Sequence, residues 1–221
     1  DGDVDTAAEM LAGRHERHRE AEPLLPADVD FRAQIESEWG VDGASGVVSE
    51  HGYLFARLLP YMRGDLMWMV AGIGGHAVAG DREHARDLYA AAAGAWADAG
   101  HLRHAVFVPS SDVELVDAWF RLSFGASAAL ATRETTPDPP PAPVGFEIRA
   151  GSADDLDAAA RLDRAMRTSM VPAPSFGGDD TVTHDEYVDD WRDTWDDEQF
   201  AHFVAARDGE IVAHILLYRR P

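Results

Sequence analysis

The sequence predicts an α+β protein built from two similar domains in tandem. Residues 47–61 (VVSEHGYLFARLLPY) recur without a gap as residues 204–218 (VAARDGEIVAHILLY). Each copy reads as an apolar strand, a tight turn centred on Gly52 or Gly209, and a second apolar strand, which is a β-hairpin pattern. Between the copies, residues 135–145 hold five prolines in eleven positions and predict an extended, semi-rigid linker.

This organisation predicts a first domain over residues 1–135, a Pro-rich linker over 136–145 and a second domain over 146–221. In the first copy, about 80 residues follow the turn before the linker, the size of a half-domain. In the second copy the sequence ends soon after the hairpin. We therefore expect residues 146–221 to be the N-terminal half of a domain, truncated after its third strand, and the parent polypeptide to be roughly 70 residues longer.

Composition narrows the function classes. The chain has no cysteine, which removes disulfides, thiolate metal sites and a cysteine nucleophile. It has no lysine either, which removes a Schiff-base lysine. A net charge of −21 disfavours nucleic acid and anionic membranes as partners, and reflects either solubility or attraction of basic substrates. Without a long apolar run or a signal-peptide pattern, we expect a cytoplasmic protein with no membrane partner.

Hydrophobic periodicity places the elements of the first domain. Helical spacing of Ala8, Leu11 and His15 predicts a helix over 5–20. Further helices are predicted over 31–39, over 82–99 and after the capping residues 110–112. Apolar runs predict strands in the hairpin 46–59 and over 65–71, 104–108 and 128–133.

In the second domain, a strand is predicted over 146–149, followed by a capping box at 152–155. The helix that this box starts is expected to turn Leu156, Ala159, Leu162 and Met166 inward. Residues 171–183 read as a loop. An acidic helix over 184–197, with Tyr187, Trp191 and Trp195 on one side, precedes the repeated hairpin.

The order of these elements, together with three short motifs, resembles the GNAT superfamily of N-acetyltransferases. Residues 146–157 (FEIRAGSADDLD) are similar to the family's first strand and helix, and 203–214 (FVAARDGEIVAH) to its second and third strands. Residues 117–124 (DAWFRLSF) are similar to the end of its late helix. The resemblance implies two tandem GNAT-like domains, each a mixed, mostly antiparallel sheet flanked by helices. It also implies acetyl-CoA as co-substrate and a small-molecule or peptide amine as acceptor.

The resemblance also implies that the first domain is degenerate. The family binds the coenzyme A pyrophosphate on backbone N–H groups of a Gly-rich turn at a helix N-terminus. The nearest match here is 69–75, where Met69 replaces the family's Arg or Gln and the predicted helix starts only near Arg82. A Gly-rich strand end or bulge is the better interpretation. Trp119 stands where the family's acid Tyr would be, and an indole is no acid near pH 7.

Chemistry is therefore expected in the second domain, with an N-acetyltransferase as the predicted activity. Its cofactor cradle is expected just beyond Pro221, so the catalytic residues are unknown. Met170, Phe176 and Tyr218 are candidate lining of the substrate pocket, and simple core or loop packing is the competing interpretation. The competing function is a non-catalytic tandem GNAT-fold ligand sensor or protein-binding scaffold.

Metal binding is not predicted. His15 and His18, and likewise His101 and His104, have a spacing that places two imidazoles on one helical face. Neither pair has a third ligand nearby, whereas a protein metal site needs three or four. The acidic run 179–198 lacks the Gly-centred alternation of a calcium loop and reads as a solvated helix face.

Overall fold

The computed structural model describes residues 2–60, 67–135, 137–138, 140–172 and 180–218. The chain divides into two compact units, Asp1–Glu134 (unit 1) and Thr135–Pro221 (unit 2). Both units combine α-helices with β-sheet, so the predicted α+β class is confirmed.

Unit 1 places a mixed sheet among four helices. Its elements are α1 (Gly2–Ala21), α2 (Phe31–Trp39), β1 (Ser45–Ser49), β2 (Gly52–Pro60), β3 (Met67–Ala71), β4 (His76–Val78), α3 (His84–Asp98), β5 (His104–Val106) and α4 (Val113–Arg121). The strands run in the order β1-β2-β3-β5, and β4 pairs with β2. β3 and β5 are parallel, and the other pairs are antiparallel. A parallel pair needs a crossover connection, and α3 lies within it.

The unit 1 sheet is covered on both faces because successive side chains of a strand point to opposite sides. In β2, Tyr53 and Phe55 join a cluster with Ala7, Leu11 and Ile35 of α1 and α2. The alternate residues Leu54 and Ala56 join a second cluster, with Trp96 of α3 and Trp119 of α4. This two-sided burial explains why β2 reads as a continuous apolar run.

Unit 2 is a smaller α+β layer. Its elements are β6 (Glu147–Ala150), a 3-10 turn (Ala153–Asp155), α5 (Leu156–Met170), α6 (His184–Trp195), β7 (Phe200–Arg207) and β8 (Glu210–Tyr218). The strands form an antiparallel sheet in the order β6-β7-β8. Ala160, Tyr187 and Trp191 of the two helices form its core, against which Leu216 of β8 packs.

The opposite face of the unit 2 sheet is apolar and exposed. Phe203 of β7 lies opposite Ile215 of β8, and Ala201 lies opposite Leu217. Phe203, Ile215 and Leu217 are all exposed, as is Ile148 of β6. The alternation therefore separates a helix-covered face from an uncovered apolar one.

Both copies of the sequence repeat form hairpins, as predicted, but their turns fall at different points of the repeat. In unit 2 the turn is Asp208-Gly209, since Arg207 pairs with Glu210. Its φ angles of 52° and 81° suit the left-handed turn that favours glycine. In unit 1, Ser49 pairs with Gly52, so Gly52 is the first residue of β2 rather than the centre of the turn.

The predicted helix starts have the expected local chemistry. Ser152 and Asp155 form the predicted capping box before α5, and Thr183 and Glu186 form another before α6. Asp155 also accepts two hydrogen bonds from Arg149, at 2.7 and 2.8 Å. The Arg149 hydrogen bonds hold the pKa of Asp155 far below its usual range.

Three expectations need correction. Residues 128–133 form no strand: this segment has no ladder partner in the described chain, and Leu130 is 83% exposed. Met166, expected to face inward, is exposed. The buried residues of α5 are Ala159 and Ala160. The buried face of α1 holds Ala7, Leu11 and Arg14 rather than Ala8, Leu11 and His15.

Candidate functional site

The glycine-rich segment of unit 1 connects two strands. It leaves β3 at Gly72 and enters β4 at His76, and α3 begins only at His84. The amide of Gly75 donates to the carbonyl of Gly72 at 2.8 Å, which closes the turn. A Cβ at Gly75 would lie 2.7 Å from the Phe55 carbonyl oxygen, so this glycine permits close packing against β2. The segment is thus a strand end, as the spacing indicated.

The carbonyls of this turn are held by two buried side chains. Arg14 of α1 donates through Nη2 to the carbonyl of Ile73 and through Nη1 to that of His76. The Tyr53 hydroxyl donates to the carbonyl of Gly74 at 2.8 Å, and burial raises the pKa of Tyr53. A phosphate cradle needs N–H groups that face the ligand. Here the turn presents carbonyls, and they already have donors.

Arg14 is the least expected residue of this site. It is 4% exposed, and burial lowers its pKa to about 10, so the guanidinium remains charged at neutral pH. Among the described residues its Nε has no hydrogen-bond partner. Asp112, the carboxylate whose charge acts on it, is paired with Arg82 at 3.1 Å. Carbonyl partners satisfy donors but do not neutralise the charge.

Arg14 lines a cleft of about 490 Å³. The residues around it come from α1, from Arg82 before α3, from the segment that joins β5 to α4 and from the start of α4. They are Arg14, Arg17, His18, Glu20, Ala21, Arg82, Pro109, Ser111, Asp112, Val113 and Glu114. The last five residues follow the carboxyl end of β5, a strand of the parallel pair. In sheets with parallel strands, ligands bind outside these carboxyl ends.

The sequence reasoning did not find this cleft. Residues 13–20 read as a polar, solvated stretch of helix, in which an arginine is ordinary. One signal was present: Arg14 continues the i, i+4, i+7 series of Ala7 and Leu11, the spacing of a buried stripe. The partners that bury it, Ile73 and His76, lie 59 and 62 residues away along the chain.

His76, the first residue of β4 after the turn, is also buried, at 1% exposure. Its Nε2 lies 2.8 Å from the Phe107 carbonyl oxygen, so Nε2 carries the proton and donates. Burial, and secondarily Arg14, lower the pKa of His76 to about 3. The imidazole is therefore neutral at pH 7. Trp119 packs edge-on at 5.9 Å and is itself buried in the core.

The structure describes two of the three predicted pocket residues, Met170 and Tyr218. Met170 is the last residue of α5 and is partly buried. Tyr218 ends β8, is 52% exposed, and donates from its hydroxyl to Gln199 Oε1 at 3.1 Å. Phe176 lies outside the described residues. A cleft of unit 2 is lined by Arg161, Arg164, Ala165, Thr168, Ser169 and His184.

Unit 2 contains a second group that sequence patterns did not reveal, a stack of His202, His214 and Trp195. Trp195 lies parallel to the His202 ring at 3.8 Å, and His202 Nδ1 lies 3.1 Å from His214 Nε2. His202 Nε2 faces the Thr194 carbonyl at 3.2 Å and so must donate. His202 Nδ1 then accepts from His214. Burial, followed by the charge of His202, lowers the pKa of His214.

In each histidine pair singled out by spacing, one imidazole has a hydrogen-bond partner outside the pattern of a metal site. His15 Nε2 lies 2.8 Å from the Pro26 carbonyl, and His104 lies 2.8 Å from both the Tyr89 hydroxyl and the His101 carbonyl. In the part of the chain that the structure describes, no group of three or more histidine or acidic residues could hold a metal ion. Within the same residues, no helix is long and apolar enough to cross a membrane.

Comparison with protein-family models and with curated proteins identifies no relative of this chain. No protein-family model matches the sequence. No curated protein matches it significantly.

Proposed function

We propose that the polypeptide carrying this sequence is an acyl-CoA-dependent N-acetyltransferase. In this proposal unit 2 belongs to the catalytic domain and unit 1 is a non-catalytic copy. The element order and the motifs at 117–124, 146–157 and 203–214 support the assignment through their resemblance to GNAT enzymes. The reaction would join an amine nitrogen to the acetyl carbon and release the thiol of coenzyme A. It requires a neutral amine, a polarised thioester carbonyl and a route for the amine proton.

Two observations in unit 1 support this assignment of roles to the two units. The turn of residues 72–75 presents carbonyls to Arg14 and Tyr53 where the family resemblance requires N–H groups that face a pyrophosphate. Trp119, at the position of the family's acid, is 3% exposed and packs against Tyr89 and Phe124. Both observations support the proposal that unit 1 does not carry out the chemistry.

The test uses the natural polypeptide that contains this sequence, with acetyl-CoA and a panel of small and peptidyl amines. We expect amine-dependent thiol release, and a Trp119→Phe variant with unchanged turnover. Calorimetry with acetyl-CoA gives an independent measurement. If the polypeptide showed no binding of acetyl-CoA and no turnover, the proposal would be contradicted. Binding without turnover of any amine would replace it by a ligand sensor.

That second function, a non-catalytic ligand sensor, is favoured by a separate feature of unit 1. The cleft next to Arg14 has a volume within the range of small-molecule sites, about 300–1,000 Å³. Ligand binding by unit 1 without an effect on any acyl transfer would support this function.

A further inference from the structure

The unit 1 cleft combines a buried cation with a second, solvent-accessible one. Arg14 is 4% exposed, and Arg17, one helical turn further along α1, also lines the cleft. Residues three apart on a helix lie on neighbouring positions of one face. The two guanidinium groups therefore belong to the same wall of the cleft.

The carboxylates around the cleft do not neutralise the charges of Arg14 and Arg17. Asp112 pairs with Arg82 at 3.1 Å and caps α4 through the amide of Leu115 at 3.1 Å. Glu20 and Glu114 are exposed residues whose side chains can turn to water. An ionised group taken out of water needs a counter-charge; the described side-chain hydrogen bonds of Arg14 go to carbonyls, and Asp112, whose charge acts on Arg14, is already paired with Arg82.

We propose that this cleft of unit 1 binds an oxyanion group, a carboxylate or a phosphate, of a small molecule, with Arg17 as its ligand and Arg14 as a fixed positive charge beside it. Guanidinium groups match such oxyanions through paired N–H donors. The guanidinium of Arg14 is held in place, because its Nη atoms donate to the carbonyls of Ile73 and His76; its Nε is buried without a described partner. Val113 and Glu114, the first two residues of α4, also line the cleft, and backbone amides in the first turn of a helix have no partner within the helix.

The electrostatics of His18 are consistent with such a site. His18 lines the cleft, and its pKa is lowered, first by partial burial and then by the charges of Arg14 and His15. Glu22 acts in the opposite direction but more weakly. A bound anion would offset the field of Arg14, so ligand binding should raise the pKa of His18.

The experiment is an NMR titration of the protein with inorganic phosphate and, separately, with succinate, at constant ionic strength balanced with chloride. We expect saturable shifts of the Val113 and Glu114 amides with at least one of the two anions. Arg17→Gln should weaken binding about tenfold, the effect of one charge-assisted hydrogen bond. Arg86→Gln is the matched control, because Arg86 lies on α3, is well exposed and does not line the cleft.

Each outcome decides the matter. A response to phosphate identifies a phosphate ligand, and one to succinate alone identifies a carboxylate; either supports the site. No saturable shift with either anion, or equal weakening by Arg17→Gln and Arg86→Gln, would overturn it. The inference is independent of acyl transfer, since binding is measured without acetyl-CoA or an amine.

Discussion

Arg14 of α1 donates a hydrogen bond to the main-chain carbonyl of His76, the first residue of β4. The same guanidinium holds the carbonyl of Ile73 in the turn before this strand. One helix side chain therefore holds two carbonyls, one within the connection from β3 to β4 and one at the first residue of β4. It also brings a permanent charge next to an imidazole whose pKa is lowered to about 3. The packing of the turn and the charge of the cleft thus depend on one residue.

Replacing Arg14 should destabilise unit 1 strongly. Arg14→Leu would leave the buried carbonyls of Ile73 and His76 without donors, each costing about 1–3 kcal/mol. We expect a loss of about 2–4 kcal/mol in the free energy of unfolding, measured by urea denaturation. Arg17→Gln, an exposed change on the same helix, should stay within about 0.5 kcal/mol. Equal stability of the two variants would show that the carbonyl contacts are not needed.

His76 should make unit 1 less stable in mild acid. Its pKa in the folded protein is about 3, below the ordinary value of 6.5, so only the unfolded state takes up a proton between these values. This contribution to stability is complete above pH 6.5 and is lost as the pH falls towards 3. Between pH 7.5 and 5.0 the loss should be about 2 kcal/mol, at 1.36 kcal/mol per pKa unit.

The His76 contribution can be isolated with His76→Gln, which keeps an N–H donor towards the Phe107 carbonyl but does not titrate. The unfolding free energies of both proteins are measured across this pH range, and their difference is plotted against pH. We expect the difference to shrink as the pH falls. A constant difference would mean that His76 does not carry the pH dependence.

In unit 2, His214 Nε2 lies 3.1 Å from His202 Nδ1, and the two rings are stacked. Burial and the neighbouring His202 lower the pKa of His214, and Asp163 opposes them more weakly. Because the pKa of His214 is lowered below its ordinary value of 6.5, the contribution of His214 to stability is complete above pH 6.5 and declines as the pH falls below that value. His202→Asn should raise the pKa of His214, measured by NMR titration, because it removes one of the two named causes. An unchanged or lower pKa would contradict the assigned coupling.

The two glycines that the repeat aligns should respond differently to substitution. A Cβ at Gly52 would lie 2.5 Å from the carbonyl oxygen of Ala77 and 2.9 Å from Leu88 Cδ1. Gly52→Ala should therefore lower the free energy of unfolding by at least about 2 kcal/mol, through overpacking. Gly209 has φ of 81° and no atom within 4 Å of its Cβ position, and Asn tolerates this conformation. Gly209→Asn should lower the free energy of unfolding by less than about 1 kcal/mol. Urea denaturation of both variants measures the two changes.

Local chemistry made part of this fold readable from the sequence. The helix predicted at 31–39 is the observed α2, Phe31–Trp39, whose start is fixed by Asp30 accepting from the amide of Ala33. The capping box of Ser152 and Asp155 and the two hairpins were likewise predictable. Caps, turns and periodicity depend on residues a few positions apart, so the sequence contains all their partners.

The tertiary structure decided what the sequence could not. The equivalent glycines Gly52 and Gly209 differ in role because β4 and α3 pack over the first, while the second stands at an open turn. The strand predicted at 128–133 is absent because strands need a ladder partner, and this segment has none among the described residues. Arg14 is a buried cation that donates hydrogen bonds to carbonyls 59 and 62 residues away along the chain. Burial and charge compensation depend on contacts distant along the chain, so the candidate cleft emerged from the fold alone.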